Sequence, residues 1–283
     1  MKKYIRIIPR LDIKGNNLVK GIHLEGLRVL GVPEDFALYY YQNGADELIY
    51  QDCVASLYKR NSLLETVRRT ADSIFIPLTV GGGLRKLDDI YNVLRAGADK
   101  VSINTGAINN PGFIDSAAKM FGSSTIVVAI EAIRQADGRY MAFTDNGREY
   151  TGREVFDWAK EAESRGAGEI LLTSIDNEGT GKGFDVDLIE LLMSIMEIPV
   201  IIHGGAANSD HVYKAINDFK IDAVAIASMF HYSALGDENF IRGSVKDGNT
   251  QFLNEKRTFK VFKNISIKDL KEKLKQRAVF VRE

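Results

Sequence analysis

The chain has 283 residues, 45% of them hydrophobic and 27% charged, the balance of a globular protein able to bury a sizeable core. A net charge of −1 leaves no electrostatic footprint for nucleic acid or an anionic membrane, and no stretch approaches the roughly 20 apolar residues of a membrane span. A lone cysteine, Cys53, excludes an intramolecular disulfide and a cysteine-based zinc cage; with no signal-like apolar run in MKKYIRIIPRLDI, it predicts a cytoplasmic protein.

Short β-branched runs follow one another along the chain, at residues 5–8, 47–50, 76–80, 100–103, 125–130, 169–173, 199–203 and 223–227. Between them lie stretches of helical periodicity, among them 88–95, 111–120, 152–164 and 185–196. Strands alternating with helices specify a parallel sheet, open or closed. An internal repeat decides between the two. GADELIY at Gly44 is echoed by GAGEILL at Gly166, IPLTVGGG at Ile76 by IPVIIHGG at Ile198, and ADKVSIN at Ala98 by IDAVAIA at Ile221, all separated by about 122 residues. Two equivalent four-strand halves close most naturally into a ring, so the fold class is α/β: a single (β/α)8 TIM barrel over residues 1–283.

Val80-Gly81-Gly82-Gly83 and His203-Gly204-Gly205-Ala206 follow apolar strands in the two halves. Glycine there lets the backbone approach a ligand, and the next helix offers unpaired N–H groups for phosphate; plain tight packing is the competing explanation for either turn alone. The next strands end in Asn104-Thr105 and Ala227-Ser228, and the second half adds a polar loop from Asp176 to Gly183. Two such turns at matched places imply two anion sites across one mouth, hence a twice-phosphorylated small molecule. Asp12 and Glu131 end strands one and five, opposite each other between those sites. Among apolar neighbours, partial desolvation raises a carboxyl pKa and suits it to general acid–base work. Asp52 and Asp176, ending strands two and six, form a second matched pair, suited to orienting loops or binding substrate hydroxyls. His23, His203, His211 and His231 are scattered, and no metal-ligand spacing is visible.

The motifs IIPRLDIK with VKG, GADEL, FIPLTVGGG, RAGADKVSIN, FGSSTIVVAI, GAGEILLTSID and SIKDLKEKL resemble the cyclase-subunit family of imidazole glycerol phosphate synthase. That family is the ammonia-using half of a glutamine amidotransferase in histidine biosynthesis. The resemblance runs over residues 5–232 and again over 265–274. It implies Asp12 as the essential acid–base group, Glu131 as its partner, and Lys20, on a mobile loop after strand one, as a substrate contact. It places phosphate contacts at Gly83, Asn104 and Thr105 on one side and at Gly179, Gly205, Ala227 and Ser228 on the other. Arg6, Glu47, Lys100 and Glu169 fall where the family has a salt-bridged ammonia gate, and Asp99 falls at the interface with a glutaminase subunit, giving a heterodimer. Ammonia being the nucleophile, neither metal nor organic cofactor is implied.

Two departures stand out. The family's second catalytic carboxylate is an aspartate, here Glu131, whose extra methylene moves the carboxylate by roughly 1.5 Å. Residues 233–264 are an insertion after strand eight, expected on the catalytic face over the second phosphate site. Both also fit an alternative: a relative from surface-polysaccharide biosynthesis that relays ammonia to a sugar amidotransferase.

Overall fold

The computed structural model describes residues 4–55, 63–243, 245, 248–251 and 261–282. Its strands are β1 (Arg6–Lys14), β2 (Asn17–Ile22), β3 (Glu25–Gly31), β4 (Leu48–Asp52), β5 (Leu78–Gly81), β6 (Lys100–Ile103), β7 (Ile126–Arg134), β8 (Tyr140–Thr144), β9 (Glu149–Glu154), β10 (Glu169–Ser174), β11 (Val200–His203) and β12 (Ala223–Ile226). Among the helices are α1 (Pro33–Gln42), α2 (Leu64–Ala71), α3 (Leu87–Arg95), α4 (Thr105–Asn109), α5 (Gly112–Phe121), α6 (Val155–Ser164), α7 (Val186–Met193), α8 (Ser209–Phe219), α9 (Ser228–Leu235) and α10 (Ile267–Gln276). Eight strands pair in parallel in the ring β1-β4-β5-β6-β7-β10-β11-β12, which closes where Arg6 lies beside Ala223.

The period-2 alternation of a strand gives each barrel strand two buried faces. Outward residues such as Ile7, Leu11, Val128 and Leu172 pack beneath the helices, with Trp158 of α6 as the largest side chain in that layer. Inward residues Ile8, Ile49, Val127, Leu171 and Ile201, with Ala129, Ala223 and Ala225, fill the barrel itself. The internal repeat has a structural counterpart. Asp99 accepts from the Leu78 N–H at 2.8 Å, and Asp222, at the matched place in the second half, accepts from the Val200 N–H at 3.2 Å.

Two antiparallel hairpins extend the catalytic face, β2–β3 after β1 and β8–β9 after β7, at equivalent points in the two halves. They correct two expectations. Lys20 lies on a strand, not on an irregular loop, and the helix expected over 152–164 begins only at Val155. Residues 152–154 belong to β9, because Glu154 pairs with Met141 and Gly152 has φ +72°, outside the helical region.

The insertion is described only in part: residues 244, 246–247 and 252–260 lie outside the described residues. Ser233–Leu235 are still in α9. After it the chain returns through α10, tied to the barrel by Lys271, whose Nζ sits 2.8 Å from Asp46 Oδ1 with both side chains buried. Asp46 Oδ2 also accepts from the Ile7 N–H at 2.7 Å. Removing one member of a buried pair strands the other's charge. Lys271→Met should therefore lower unfolding stability by about 3 kcal/mol, measured by urea denaturation; a loss under about 1 kcal/mol would mean that the α10 anchor is apolar.

Candidate active site

Along β1 the inward positions read Arg6, Ile8, Arg10, Asp12, so the strand carries charge at both ends of an apolar interior. Arg10 is 3% exposed; its Nε donates to Asp12 Oδ1 at 3.0 Å and its Nη1 reaches Thr173 Oγ1 at 3.0 Å and His203 Nδ1 at 3.1 Å. A guanidinium only donates, so His203 Nδ1 is the acceptor and its proton sits on Nε2. Burial, with Arg10 and Lys20 nearby, holds the His203 pKa well below the usual imidazole range.

Lys20 is wholly buried, with Nζ hydrogen-bonded to Glu178 and 3.6 Å from Asp12 Oδ2. Burial opposes its charge, but Glu178 and Asp12 raise its pKa. Glu178 also accepts from the Leu24 N–H at 3.0 Å, and its carbonyl accepts from the His23 N–H at 2.9 Å, clasping the β2–β3 turn. Next to it, Gly179 (φ +72°) leaves no room for a side chain: a Cβ there would lie 2.6 Å from the Gly21 carbonyl oxygen.

The two central carboxyls sit in opposite electrostatic surroundings. Burial raises the Asp12 pKa, but Arg10 and Lys20 outweigh it and the net shift is downward, against the sequence expectation of a raised value. Glu131 is pushed up to about 7 by burial, against the partial opposition of Arg10, the Gly147 N–H and Asn104. The Gly147 N–H donates to its Oε2 at 2.9 Å. The surroundings thus push the two carboxyls in opposite directions, Asp12 towards its ionised form and Glu131 towards its protonated form.

Two pockets flank this pair. The first is lined by Gly83, Asn104, Thr105 and Gly106, with Gln51, Ser102, Asp145 and Glu131 around them. The second is lined by Glu178, Gly179, His203, Gly205, Ala227 and Ser228, with Phe262 from the insertion. Each opens on the first residues of a helix, α4 and α9, where backbone N–H groups lack helical partners and suit an anion. At Gly205 (φ +106°) a Cβ would stand 1.9 Å from the Gly183 carbonyl oxygen, so only glycine fits that wall.

Most of the residues singled out from sequence meet here: Asp12, Lys20 and Glu131 at the centre, Gly83, Asn104 and Thr105 on one side, Gly179, Gly205, Ala227 and Ser228 on the other. Asp176 does not. It lies outside both pockets, accepts from the Arg134 N–H at 2.8 Å, and lines an outer groove with Asp185 and Asp187. Asp52 orients its loop by accepting from the N–H groups of Val54 and Ala55, both at 2.9 Å. Arg10, Glu178, His203 and Gly147 were not anticipated. The signal for Arg10 was its place in the inward period of β1, and that for Gly147 was Asp145-Asn-Gly, a hairpin turn sequence whose first two residues have φ +52° and +59°.

At the other end of the barrel Arg6, Glu47, Lys100 and Glu169 form a closed ring of alternating charge. Arg6 bonds Glu47 at 3.0 Å and also Glu169, and Lys100 bonds Glu47 at 3.2 Å and Glu169 at 3.1 Å. Asp99 is exposed beside it.

A closed (β/α)8 barrel whose strand ends gather two buried carboxyls between two glycine-lined pockets has the architecture of a barrel enzyme. Residues 6–236 match the model of the family described as histidine biosynthesis protein. The chain is also 59% identical over 201 residues to the Legionella pneumophila protein named imidazole glycerol phosphate synthase subunit HisF, covering 71% of this chain and 95% of that one. The chain belongs to the histidine biosynthesis protein family, as a cyclase-type subunit of imidazole glycerol phosphate synthase.

The Glu131 environment sets a pH dependence. A carboxyl whose folded pKa is raised stabilises the fold below its unfolded pKa and loses that contribution as pH rises towards the folded value. Between pH 4.5 and 7 the protein should lose up to about 3 kcal/mol from this group alone, at 1.36 kcal/mol per pKa unit. Glu131→Gln should remove that slope, so urea unfolding should find the variant more stable than wild type at pH 8 and nearly equal to it at pH 4.5. Parallel pH profiles for the two proteins would contradict the assignment.

Proposed function

We propose that the chain converts a ribulosyl-aminoimidazole-carboxamide bisphosphate and ammonia into imidazole glycerol phosphate and aminoimidazole carboxamide ribotide. The reading is carried by the opposed charge states of Asp12 and Glu131 between two anion pockets. One substrate phosphate sits in each pocket, which stretches the molecule across the mouth and leaves its keto carbon between the carboxyls. Glu131 gives its proton to the carbonyl oxygen as ammonia adds, and ionised Asp12 takes the proton that the new C–N bond makes acidic. Water leaves to give the imine. In this step Glu131 is the acid and Asp12 the base. Return of protons to the leaving aminoimidazole nitrogen then accompanies C–N cleavage and imidazole closure.

Lys20 stands where it contacts the substrate beside Asp12, and its charge is balanced by Glu178 until substrate arrives. Ammonia comes from a glutaminase subunit docked in a heterodimer on the strand N-terminal face, around Asp99 and the charge ring, where Phe75 is 82% exposed. Beyond the ring, Thr79 Oγ1, Ser102 Oγ and Gln51 Oε1 are buried on adjacent strands without protein partners, polar stations for a small hydrogen-bonding molecule on its way to Glu131. No helix among the described residues is long and apolar enough to cross a membrane, and a cytoplasmic heterodimer is the setting of this reading.

The deciding assay is turnover of the bisphosphate by the purified chain with ammonium salts at alkaline pH. Asp12→Asn should reduce that rate by about 10²–10⁴-fold, the share of a positioned proton-transfer group, while binding of the bisphosphate stays near wild type. A variant retaining a tenth of the rate would remove Asp12 from that role. If the folded wild-type chain binds bisphosphate and activates its glutaminase but yields no product, the chain instead relays ammonia to a sugar amidotransferase.

The ring supplies a separate test. Lys100→Ala breaks the contacts at 3.2 and 3.1 Å to Glu47 and Glu169. Glutamine-dependent product formation should fall while glutamine hydrolysis and the ammonium-dependent rate persist; equal loss of all activities would reduce the ring to a structural part.

A further inference from the structure

We propose that the insertion after α9 positions the site: its residues hold the β2–β3 hairpin, and with it Lys20, against Asp12, while its Phe262 ring walls the second anion pocket. The inference rests on reading that pocket as the seat of a substrate phosphate. The insertion is anchored at three places among its described residues.

The first anchor is α1. The Phe240 ring meets Phe36 edge-on at 4.6 Å and lies 5.0 Å from Tyr39. Tyr39 donates its hydroxyl hydrogen to Asp237 Oδ2 at 2.6 Å, and the Gly243 N–H donates to Asp35 Oδ2 at 2.7 Å.

The second anchor is the hairpin itself. Among the described residues β3 pairs with no strand but β2, which leaves the backbone groups of its far edge outside the ladder. The insertion occupies that edge: the Val29 N–H donates to the Asn249 carbonyl at 3.1 Å, and Val245 packs on the small apolar cluster of Val19, Val29 and Cys53. Gly248 lies so close that a Cβ there would be 2.7 Å from Val29 Cγ2. A two-stranded ribbon is marginal by itself in water. This one must also keep an ammonium buried at Lys20, one residue along β2 from Val19.

The third anchor is the pocket. Phe262 stands 5.3 Å from the Tyr232 ring of α9, and the Tyr232 hydroxyl takes a hydrogen bond from Arg28 of β3. The hairpin, the helix that opens on the second pocket and the insertion are therefore one connected unit. The neighbouring Lys263 N–H donates to the Ala207 carbonyl at 2.9 Å and Ser233 donates to Asn264 at 2.7 Å, fixing the ring's approach. An aromatic wall adds no charge to the pocket; it keeps water from the backbone donors and so strengthens their hold on an anion.

Such a device acts on binding at the pocket, and through Lys20 it also acts on the charge state of Asp12 at the hairpin. Two full-length variants test it, Phe262→Ala in the pocket and Val245→Asp on the hairpin, with Val245→Ala as the milder change should the aspartate prevent folding. Phe262→Ala should raise the bisphosphate KM about tenfold, the equivalent of 1.4 kcal/mol, with kcat and the KM for ammonia near wild type. It should also weaken binding of inorganic phosphate. Val245→Asp should speed hydrogen exchange at the amides of residues 18–30 in the free protein and raise the bisphosphate KM. Unchanged exchange in a folded Val245 variant overturns the hairpin role, and an unchanged KM, or a fall in kcat alone, in Phe262→Ala overturns the pocket role. Exchange and phosphate binding read out without turnover, so an inactive wild-type chain would refute the cyclase reaction and leave this inference to be judged on its own.

Discussion

Burying the Arg10 guanidinium inside a barrel forfeits several kcal/mol of hydration, and the centre of this molecule is arranged around recovering it. Asp12, Thr173 and His203 each take one of its hydrogen bonds, from three different strands. In return the cation fixes the chemistry of its partners. It keeps Asp12 ionised, leaves His203 as a neutral acceptor with one defined tautomer, and lies near enough to Glu131 to oppose, without cancelling, the effect of burial there. Lys20, brought in by the hairpin, strengthens the same bias on Asp12.

The two halves of the barrel are built alike and then made electrically unlike. Each places a carboxyl on its first strand and a hairpin after it. The first hairpin delivers an ammonium to its carboxylate; the second delivers only the Gly147 N–H. Two residues before the carboxyl, the first half has Arg10 where the second has Ala129, a side chain that brings no charge. The same backbone plan thus yields two carboxyls whose pKa values are shifted in opposite directions, and the difference lies in what each hairpin and strand puts beside the carboxyl.

This division explains what the sequence disclosed. Strand positions, the ring closure and both glycine turns were legible because apolar periodicity and positive-φ glycine are local features, repeated twice in one chain. The charge ring was legible only through family resemblance, since nothing local says that Arg6, Glu47, Lys100 and Glu169 meet. The direction of the Asp12 shift was not legible at all. It depends on Lys20 arriving from a hairpin and on Arg10 turning inward, and a rule about desolvation among apolar neighbours points the other way. The hairpins escaped notice because KGNN, at residues 14–17, and Asp145-Asn-Gly look like ordinary loops until their flanking residues are seen to pair. The contacts of the insertion with β3 were out of reach for the same reason: an open strand edge exists only once the ribbon has formed.

The floor of the barrel has a consequence of its own. Two cations and two anions alternating around the ring have no net charge, and if their arrangement is near symmetric they have little net dipole either. What is left is a quadrupole, whose potential decays far more steeply with distance than that of a single ion. The apolar layer of Ile8, Ile49, Val127, Leu171 and Ile201 separates it from Arg10. The lower face is therefore electrically quiet as seen from the upper one. A protein settling on that face could open or tighten the ring without moving the proton balance of Asp12 and Glu131, so any signal that it sends upward has to travel as a change of shape, or as the passage of an uncharged molecule.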